Sequence, residues 1–246
     1  MDLELKGKKA LVLGASAGLG RAVAESLLSE GVEVCIVSRS LETLSKTAKE
    51  IGASHYETCD LSIPGATSEL IQKVLKKMGH VDILVTNTGG PKKANFLEVT
   101  DEQWREDFQS LWMSPIEAMR ILLPKMQEKK FGRVLMITSL AAKEPLPGLT
   151  TSNGFRAGLA GLSKSIVNEY ASFGITVNLL LPGYTDTDRI KALNLSQSKI
   201  QEMIPAGRLG DPKELADVAT FLASKKGAYI NGQSIAVDGG VLRGHA

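Results

Sequence analysis

A glycine-rich segment near the start of the chain has the composition of a phosphate-binding turn. Residues 14–20 read Gly-Ala-Ser-Ala-Gly-Leu-Gly and lie between an apolar run and a segment of helical periodicity. Glycines at such a junction permit a tight turn and a close approach of a pyrophosphate, and the amides that begin the helix favour an anion. The spacing is GxxxGxG rather than GxGxxG, so a plain turn is the alternative. The residues predicted to contact a nucleotide are Gly14, Ser16, Ala17, Gly18, Leu19 and Gly20.

The residues after the second apolar run bear on which nucleotide is bound. Ser38 and Arg39 stand at the turn that faces the adenosine ribose in folds of this type. An acidic residue there would accept a hydrogen bond from a free 2′-hydroxyl group, whereas the planar guanidinium of Arg39 suits a 2′-phosphate. We therefore predict that NADP(H) is favoured over NAD(H), with a hydrated loop charge as the alternative for Arg39.

Polar residues also follow the third and fourth apolar runs. Asp60 and Leu61 are predicted to contact the adenine ring, although Asp60 also fits the role of a turn cap. Asn87 and Gly89 belong to an Asn-Thr-Gly-Gly segment at the carboxyl edge, where a ligand crevice forms. For Asn87, a structural role between neighbouring strands is favoured over a ligand contact.

Short apolar runs alternate with longer stretches of helical period, which is the pattern of βαβ units. This order predicts one domain over residues 1–246, a Rossmann-type doubly wound parallel sheet of about seven strands with helices on both faces. Thr100 to Gln103 and Asp211 to Glu214 are predicted to form capping boxes at helix starts. The predicted strands are Lys9 to Leu13, Val32 to Val37, His55 to Cys59, Ile83 to Thr86, Val134 to Thr138, Thr176 to Leu180 and Ser234 to Val237.

Composition narrows the classes of partner. The 246 residues carry a formal net charge of +2, which gives no electrostatic basis for binding nucleic acid or a membrane surface. Cys35 and Cys59 lie in apolar runs, and His55, His80 and His245 have no ligand spacing, so we expect neither disulfides nor a metal site. From the charged start of the chain we expect neither a signal peptide nor a membrane span, and we expect a cytoplasmic location.

Taken together, these features resemble the short-chain dehydrogenase/reductase family, and in particular its 3-oxoacyl-acyl-carrier-protein reductase-like members. The resemblance runs from Lys8 to Gly240. The matching segments are Gly14 to Gly20, Asp60-Leu61, Asn87 to Gly90, Gly132 to Val134 leading to Ser139, Asn178, Pro182-Gly183 with Thr185 and Thr187, Asn231 to Gln233 and Asp238 to Gly240.

The resemblance implies hydride transfer between a nicotinamide cofactor and a small carbonyl or alcohol substrate. It also implies a homo-oligomer, commonly a dimer of dimers. By the same resemblance, the catalytic serine of the family corresponds to Ser139. The segment that lies against the nicotinamide corresponds to Pro182 and Gly183, with Thr185 and Thr187 nearby.

The chain departs from the family at the residues that handle the proton. Ser152 and Arg156 stand where the family has tyrosine and lysine, and Leu111 stands where it has an asparagine. A serine hydroxyl is a much weaker acid than a phenol, and a guanidinium is effectively always protonated. We predict catalytic roles for Ser139, Ser152 and Arg156, with Arg156 anchoring the cofactor ribose. Tyr184 is the one tyrosine expected near the nicotinamide, more as an aromatic lid than as an acid.

Three functions remain open from the residues alone. The first is an NADP-dependent oxidoreductase with an atypical active site, and the second is a binding or regulatory protein that holds NADP without turning it over. The third is a non-redox enzyme in the same cleft.

Lys92 and Lys93 are either ligands for an anionic substrate tail or hydrated loop charges, with the latter favoured. The segment from Ile190 to Ile204 is predicted to be a mobile lid over the substrate.

Overall fold

The computed structural model describes residues 1–244, and its centre is one parallel sheet. The strand order is β3-β2-β1-β4-β5-β6-β7, and every neighbouring pair is parallel. Each predicted strand is confirmed, with ends that differ by at most two residues. The prediction about His245 lies outside the described residues. The strands are β1 Lys9–Leu13, β2 Glu33–Ser38, β3 His55–Thr58, β4 Ile83–Asn87, β5 Gly132–Ile137, β6 Ile175–Pro182 and β7 Ser234–Val237.

Helices cover both faces of this sheet, as the doubly wound prediction requires. They are α1 Gly18–Ser29, α2 Leu41–Ile51, α3 Ala66–Met78, α4 Asp101–Asp107, α5 Ser114–Glu128, α6 Thr150–Tyr170, α7 Asp188–Lys191, α8 Gln197–Met203 and α9 Pro212–Ala223. A π-helical segment, Phe108–Met113, joins α4 to α5. No helix within residues 1–244 has the length and apolar content needed to cross a membrane.

Successive residues of β1 supply the cores on the two faces. Leu11 and Leu13 pack in the layer under α3, α5 and α6, while Ala10 and Val12 pack in the layer under α1, α2 and α9. All four side chains are fully buried. Because side chains alternate along a strand, a run that is apolar at every position buries both faces, which is the signature of a parallel sheet between helices.

The two predicted capping boxes have different outcomes. At the start of α9, the Asp211 amide donates to Glu214 at 2.8 Å, so the reciprocal box is complete and its prediction is confirmed. At the start of α4, Thr100 accepts from the Gln103 amide at 3.2 Å, but the Gln103 side chain donates instead to the Lys92 carbonyl at 3.3 Å. That full box was therefore wrongly predicted, because a neighbouring loop offered the glutamine amide another acceptor.

The carboxyl edge of the sheet brings together segments that are far apart in sequence. β1, β4, β5 and β6 are neighbours, and the chain leaves β1 toward one side of the sheet and returns at β4 on the other. Loops diverge at such a reversal and leave a crevice above the strand ends. The site is built from the turns that follow these four strands, together with the turns after β2 and β3 and the start of α6.

Candidate functional site

The glycine turn after β1 is held against the end of β4. Gly14 has φ +63°, and a Cβ atom on it would overlap the Asn87 carbonyl. A Cβ on Gly20 would lie 2.8 Å from the Asn87 side-chain nitrogen. That nitrogen donates to the Gly14 carbonyl at 2.9 Å. The amide of Asn87 therefore has the structural role that the sequence favoured for it, and glycine is required where the two backbones meet.

The amino end of α1 opens into the crevice without a side-chain cap. Ala17 precedes the helix and provides no capping hydrogen bond, and the first turn has no acidic residue. The first amides of a helix have no intrahelical acceptor and carry partial positive charge. Gly18 and Leu19, which begin the helix, line the crevice. This end of α1 can hold a phosphate group.

One part of the crevice, the Arg39 cavity, has a volume of about 900 Å³ and lies beyond the end of β2. Arg39 is exposed, and its guanidinium has no hydrogen bond or ion pair with any residue of the described range 1–244. A free guanidinium at this point can bind a phosphate bidentately. Predicted residues that also line the cavity are Gly14, Ser16, Ala17, Ser38, Asp60, Leu61, Asn87 and Gly89.

Asp60 caps the turn in which it lies, which is the alternative role that its sequence position suggested. Its carboxylate accepts from the Ser62 amide at 3.0 Å and from the Ser62 hydroxyl at 2.7 Å. These two bonds, and to a smaller degree the positive charge of Arg39, lower the pKa of Asp60. The carboxylate also borders the cavity, so the turn cap and a ligand contact are compatible.

The second part, the Ser152 cavity, has a volume of about 440 Å³ and adjoins the glycine turn. This is the size of a small-molecule site. Ser139 after β5 and Ser152 and Arg156 on α6 all line it, so the structure brings the three predicted catalytic residues together. Ala17, Gly18, Leu19, Asn87, Gly89, Pro182, Gly183, Thr185 and Thr187 line it as well.

Ser152 and Arg156 form a hydrogen-bonded pair one helical turn apart. The Arg156 Nε donates to the Ser152 hydroxyl oxygen at 3.1 Å. The other guanidinium nitrogens donate to the carbonyls of Ile137, at 3.4 Å, and Gly89. Both side chains are buried, and burial, followed by the charge of Arg189, lowers the pKa of Arg156 to about 10. Arg156 is therefore still a cation at neutral pH, and it ties α6 to the ends of β4 and β5.

Both serine hydroxyls of the cavity accept a hydrogen bond from the protein. Ser139 precedes a short 3₁₀ helix and accepts from the Ala141 amide at 3.2 Å, so it caps that helix. Ser152 accepts from Arg156. Neither hydroxyl donates to another residue within 1–244. Each retains its own proton for a ligand in the cavity, because a hydroxyl has one donor and two acceptor sites.

The segment after β6 crosses from the sheet to the glycine turn. Gly183 leaves no room for a side chain, because a Cβ atom there would lie 2.6 Å from the Asp238 Cα. Thr185 is buried and donates to the Gly183 carbonyl at 3.4 Å. The methyl group of Thr187 would lie 3.4 Å from a Cβ on Gly18. The predicted residues Pro182 to Thr187 therefore form one wall of the crevice beside the start of α1.

Of the tyrosines and the residues near position 111, some line the two cavities and others lie elsewhere in the fold. Tyr184 lines the Ser152 cavity, as expected, whereas Tyr56 and Tyr229 are exposed on distant surfaces. Leu111 is buried in the π-helical segment, and Ser110 borders the Arg39 cavity rather than the Ser152 cavity. Neither residue therefore places a polar side chain in the Ser152 cavity.

The charged lining includes one residue that sequence reasoning missed. Arg189 lies at the junction of the two cavities, against Gly90. The sequence feature that could have identified Arg189 is its position, two residues after Thr187 in a segment already assigned to the site. Lys92 and Lys93, for which hydration was favoured, are exposed but border the Arg39 and Ser152 cavities respectively.

Comparison with known proteins supports the same family. The family model described as Enoyl-(Acyl carrier protein) reductase matches residues 14–242. The 3-oxoacyl-[acyl-carrier-protein] reductase FabG of Escherichia coli (strain K12) is 34% identical over 241 residues, which cover 97% of this chain and 99% of that relative.

Two solved structures extend the likeness to three dimensions. L-sorbose reductase from Gluconobacter frateurii, complexed with NADPH and L-sorbose, superimposes with a TM-score of 0.92 at 29% identity and covers 99% of this chain and 100% of its own. A 3-oxoacyl (acyl-carrier-protein) reductase from Agrobacterium tumefaciens with NADP bound gives 0.91 at 28% identity, covering 97% and 96%. The predicted oxidoreductase class agrees with these names. The chain belongs to the short-chain dehydrogenase/reductase family and resembles its 3-oxoacyl-acyl-carrier-protein reductases over nearly its whole length.

Proposed function

We propose that this protein is an NADP(H)-dependent reductase that converts a carbonyl group of a small molecule into an alcohol. The observation that carries the proposal is the lining of the Ser152 cavity. The glycine turn, the hydroxyls of Ser139 and Ser152, and the segment from Pro182 to Thr187 border one space. A nicotinamide held beside the turn and a carbonyl held by the hydroxyls would share that space.

The cofactor contacts follow from the two cavities. The amides at the start of α1 would hold the pyrophosphate, and Arg39 would hold the 2′-phosphate. Asp60 and Leu61 border the same cavity and would contact the adenine. The two similar structures described above contain NADPH and NADP, in agreement with the preference inferred from Arg39. When bound, the reduced nicotinamide supplies the hydride.

The polar residues of the Ser152 cavity would act on the carbonyl oxygen. Ser139 and Ser152 each have a hydroxyl proton left to donate, so together they can polarise a carbonyl and hold the developing negative charge. The Arg156 cation, bonded to the Ser152 oxygen, strengthens that donor. Because serine is a poor acid, we infer that the proton which completes the alcohol comes from water. In this account, Ser152 and Arg156 replace the tyrosine and lysine of the family.

Single substitutions of the two serines test this mechanism. We expect Ser139→Ala and Ser152→Ala each to lower kcat for NADPH-dependent carbonyl reduction by roughly ten- to a thousandfold, since one donor to a developing oxyanion contributes up to about 4 kcal/mol. The affinity for NADPH should change little in either variant. The measurement is NADPH consumption over a carbonyl panel together with NADPH fluorescence titration. Full activity in both variants would contradict the proposed roles.

A second function is supported by the same pair of residues. Position 152, which is hydrogen-bonded to Arg156, carries a serine hydroxyl rather than a phenol, and a weak acid at that point fits a protein that binds NADP without turning it over. Tight NADPH binding with no consumption across carbonyls and alcohols would favour this alternative. Failure to bind either nicotinamide dinucleotide would contradict both functions.

The wider predictions remain proposals. We infer one domain over residues 1–246, a homo-oligomer assembled as a dimer of dimers, and a cytoplasmic location. The oligomer is the most direct to test, by light scattering coupled to size-exclusion chromatography. The lid role of the segment from Ile190 to Ile204 is also a proposal, supported by Ile190 and Leu193 in the wall of the Ser152 cavity.

A further inference from the structure

The Ser152 cavity has an excess of positive charge in its lining. Its charged lining residues within the described range 1–244 are Lys93, Arg156, Arg189 and one carboxylate, Asp188. Asp188 is exposed at the first position of α7, and Lys93 is exposed as well. Arg156 is the one buried charge of this lining, and the exposed Arg189 lies at the rim against Gly90.

Arg156 is a buried cation that has no carboxylate partner among residues 1–244. Its three hydrogen bonds all go to neutral oxygens, on Ser152, Ile137 and Gly89. Burying a charge without a counter-ion is costly, because neutral acceptors replace only part of its hydration. A guanidinium has five N–H donors, so these bonds leave part of its donor capacity unused. An anion in the adjoining cavity would supply the missing charge.

Arg189 adds a second unpaired cation close to the first. Its side chain has no hydrogen bond or ion pair with another residue of the described chain, although it lies against Gly90 at the rim. Its charge contributes to lowering the pKa of Arg156, second to burial. Two like charges that approach each other without a partner favour a ligand of opposite sign between them.

The remaining wall indicates the rest of the ligand. Leu146, Leu149, Ile190, Leu193 and Val241 line the cavity, so most of its surface is aliphatic. A ligand that fits both parts has an anionic end and an apolar chain. In the proposed function, the serine hydroxyls bind a carbonyl of the same molecule.

We propose that the substrate is an oxo acid, a carbonyl compound with a carboxylate and an aliphatic chain, and that Arg189 with Arg156 binds the carboxylate. This inference rests on the proposed function for the role of the carbonyl, but the carboxylate site is defined independently by the two arginines. A carboxylate bound by guanidinium groups gains charge-assisted, bidentate hydrogen bonds. Arg189 is then a specificity-determining residue.

The test compares a carboxylate with a neutral molecule of the same shape. Hexanoate and hexanamide, neither of which is reduced, are titrated by calorimetry into the protein alone and into the protein saturated with NADP⁺. We expect hexanoate to bind at least about tenfold more tightly than hexanamide, since one charge-assisted contact is worth that much or more. Arg189→Gln should remove most of this preference, and Arg189→Lys should retain part of it.

Lys191→Gln is the matched control. Lys191 lies on the same short helix and is exposed, but it is paired with Asp186 at 3.6 Å and does not line the cavity. This substitution removes the same charge from α7. We expect Lys191→Gln to prefer hexanoate over hexanamide by the same factor as the unchanged chain. An equal loss in both variants would mean a general field effect and would overturn the assignment to Arg189.

Other outcomes separate this inference from the proposed function. Equal binding of hexanoate and hexanamide, or no binding of hexanoate at millimolar concentration, overturns the carboxylate site. If Arg189→Gln weakens NADP⁺ binding about tenfold yet keeps the hexanoate preference, Arg189 serves the cofactor phosphates and the inference is wrong. If hexanoate is preferred but NADPH reduces neither 2-oxohexanoate nor 2-hexanone, the carboxylate site stands and the proposed reductase activity fails.

Discussion

Replacing Gly14 by alanine tests the contact between the glycine turn and β4, on which the cofactor cleft depends. Gly14 has φ +63°, and its new Cβ atom would overlap the backbone carbonyl of Asn87. The left-handed conformation costs about 1–2 kcal/mol for a residue with a Cβ, and forcing an extra carbon into packed structure costs about 1–3 kcal/mol more. We therefore expect Gly14→Ala to lower the free energy of unfolding by about 3 kcal/mol.

Gly52 supplies a matched control for the backbone term. It has φ +75° at the end of α2, and no atom lies within 4 Å of a Cβ built on it. Gly52→Ala should therefore lose only the conformational part, about 1 kcal/mol. The difference of about 2 kcal/mol between the two variants isolates the overlap with Asn87. Urea denaturation at fixed protein concentration, followed by tryptophan fluorescence, measures both values.

The same pair of variants separates stability from binding. Gly14→Ala displaces the turn that faces the proposed pyrophosphate, so NADPH should bind at least about tenfold more weakly, whereas Gly52→Ala should bind it normally. NADPH fluorescence titration under conditions where both variants are folded gives the dissociation constants. Equal losses of stability, together with an unchanged affinity for NADPH in Gly14→Ala, would refute the close approach and the phosphate site together.

The remaining predictions concern the cofactor, the proton and acid stability. Arg39→Ala should weaken NADPH binding about tenfold and leave NADH binding unchanged, and an unaltered NADPH preference by titration would contradict the role of Arg39. Ser152→Tyr with Arg156→Lys should raise NADPH-dependent carbonyl reduction, while Ser152→Phe with Arg156→Lys should not, since a phenol is the acid being restored. The Arg208 side chain and the Asp211 backbone lower the pKa of Glu214 from 4.5 to about 2. Its ionised form therefore contributes stability above pH 4.5 that is lost as the pH falls through about 2, and Glu214→Gln should flatten thermal stability over that window.

The sheet could be predicted from sequence because its signals are local. A strand buried on both faces is apolar at consecutive positions. β1 and β5 each contain such an apolar run, bordered by a glycine or a charged residue. The glycine turn was predictable because its glycines stand together between a strand and a helix, although the contact that requires glycine at position 14 is with Asn87 in β4. Sequence order then set the parallel topology.

The electrostatics of the site could not be predicted, because they depend on contacts between distant segments. Arg156 donates to the carbonyl of Gly89, 67 positions earlier in the chain. This bond connects α6 to the end of β4, in addition to the place of Arg156 in the wall of the Ser152 cavity. The ribose contact that the sequence suggested for Arg156 stays a prediction. Arg189 meets Gly90 only because the chain after β6 turns back over the crevice. Likewise, the Gln103 side chain donates to the Lys92 carbonyl on another loop instead of completing the predicted capping box.

The hydrogen bond between Arg156 and Ser152 also indicates a direction for the reaction. Reduction requires donors for a developing oxyanion, which the two serine hydroxyls provide, and water can deliver the last proton. Oxidation requires a base that removes a proton from an alcohol. The Ser152 oxygen accepts a bond from a cation at 3.1 Å, which lowers its basicity, and Arg156 is protonated. We therefore expect NADPH-dependent carbonyl reduction to be much faster than NADP⁺-dependent oxidation of the corresponding alcohol at neutral pH. Comparable kcat values for the two directions, measured with one carbonyl–alcohol pair, would contradict this expectation and would mean that water or another residue of the cavity accepts the alcohol proton efficiently.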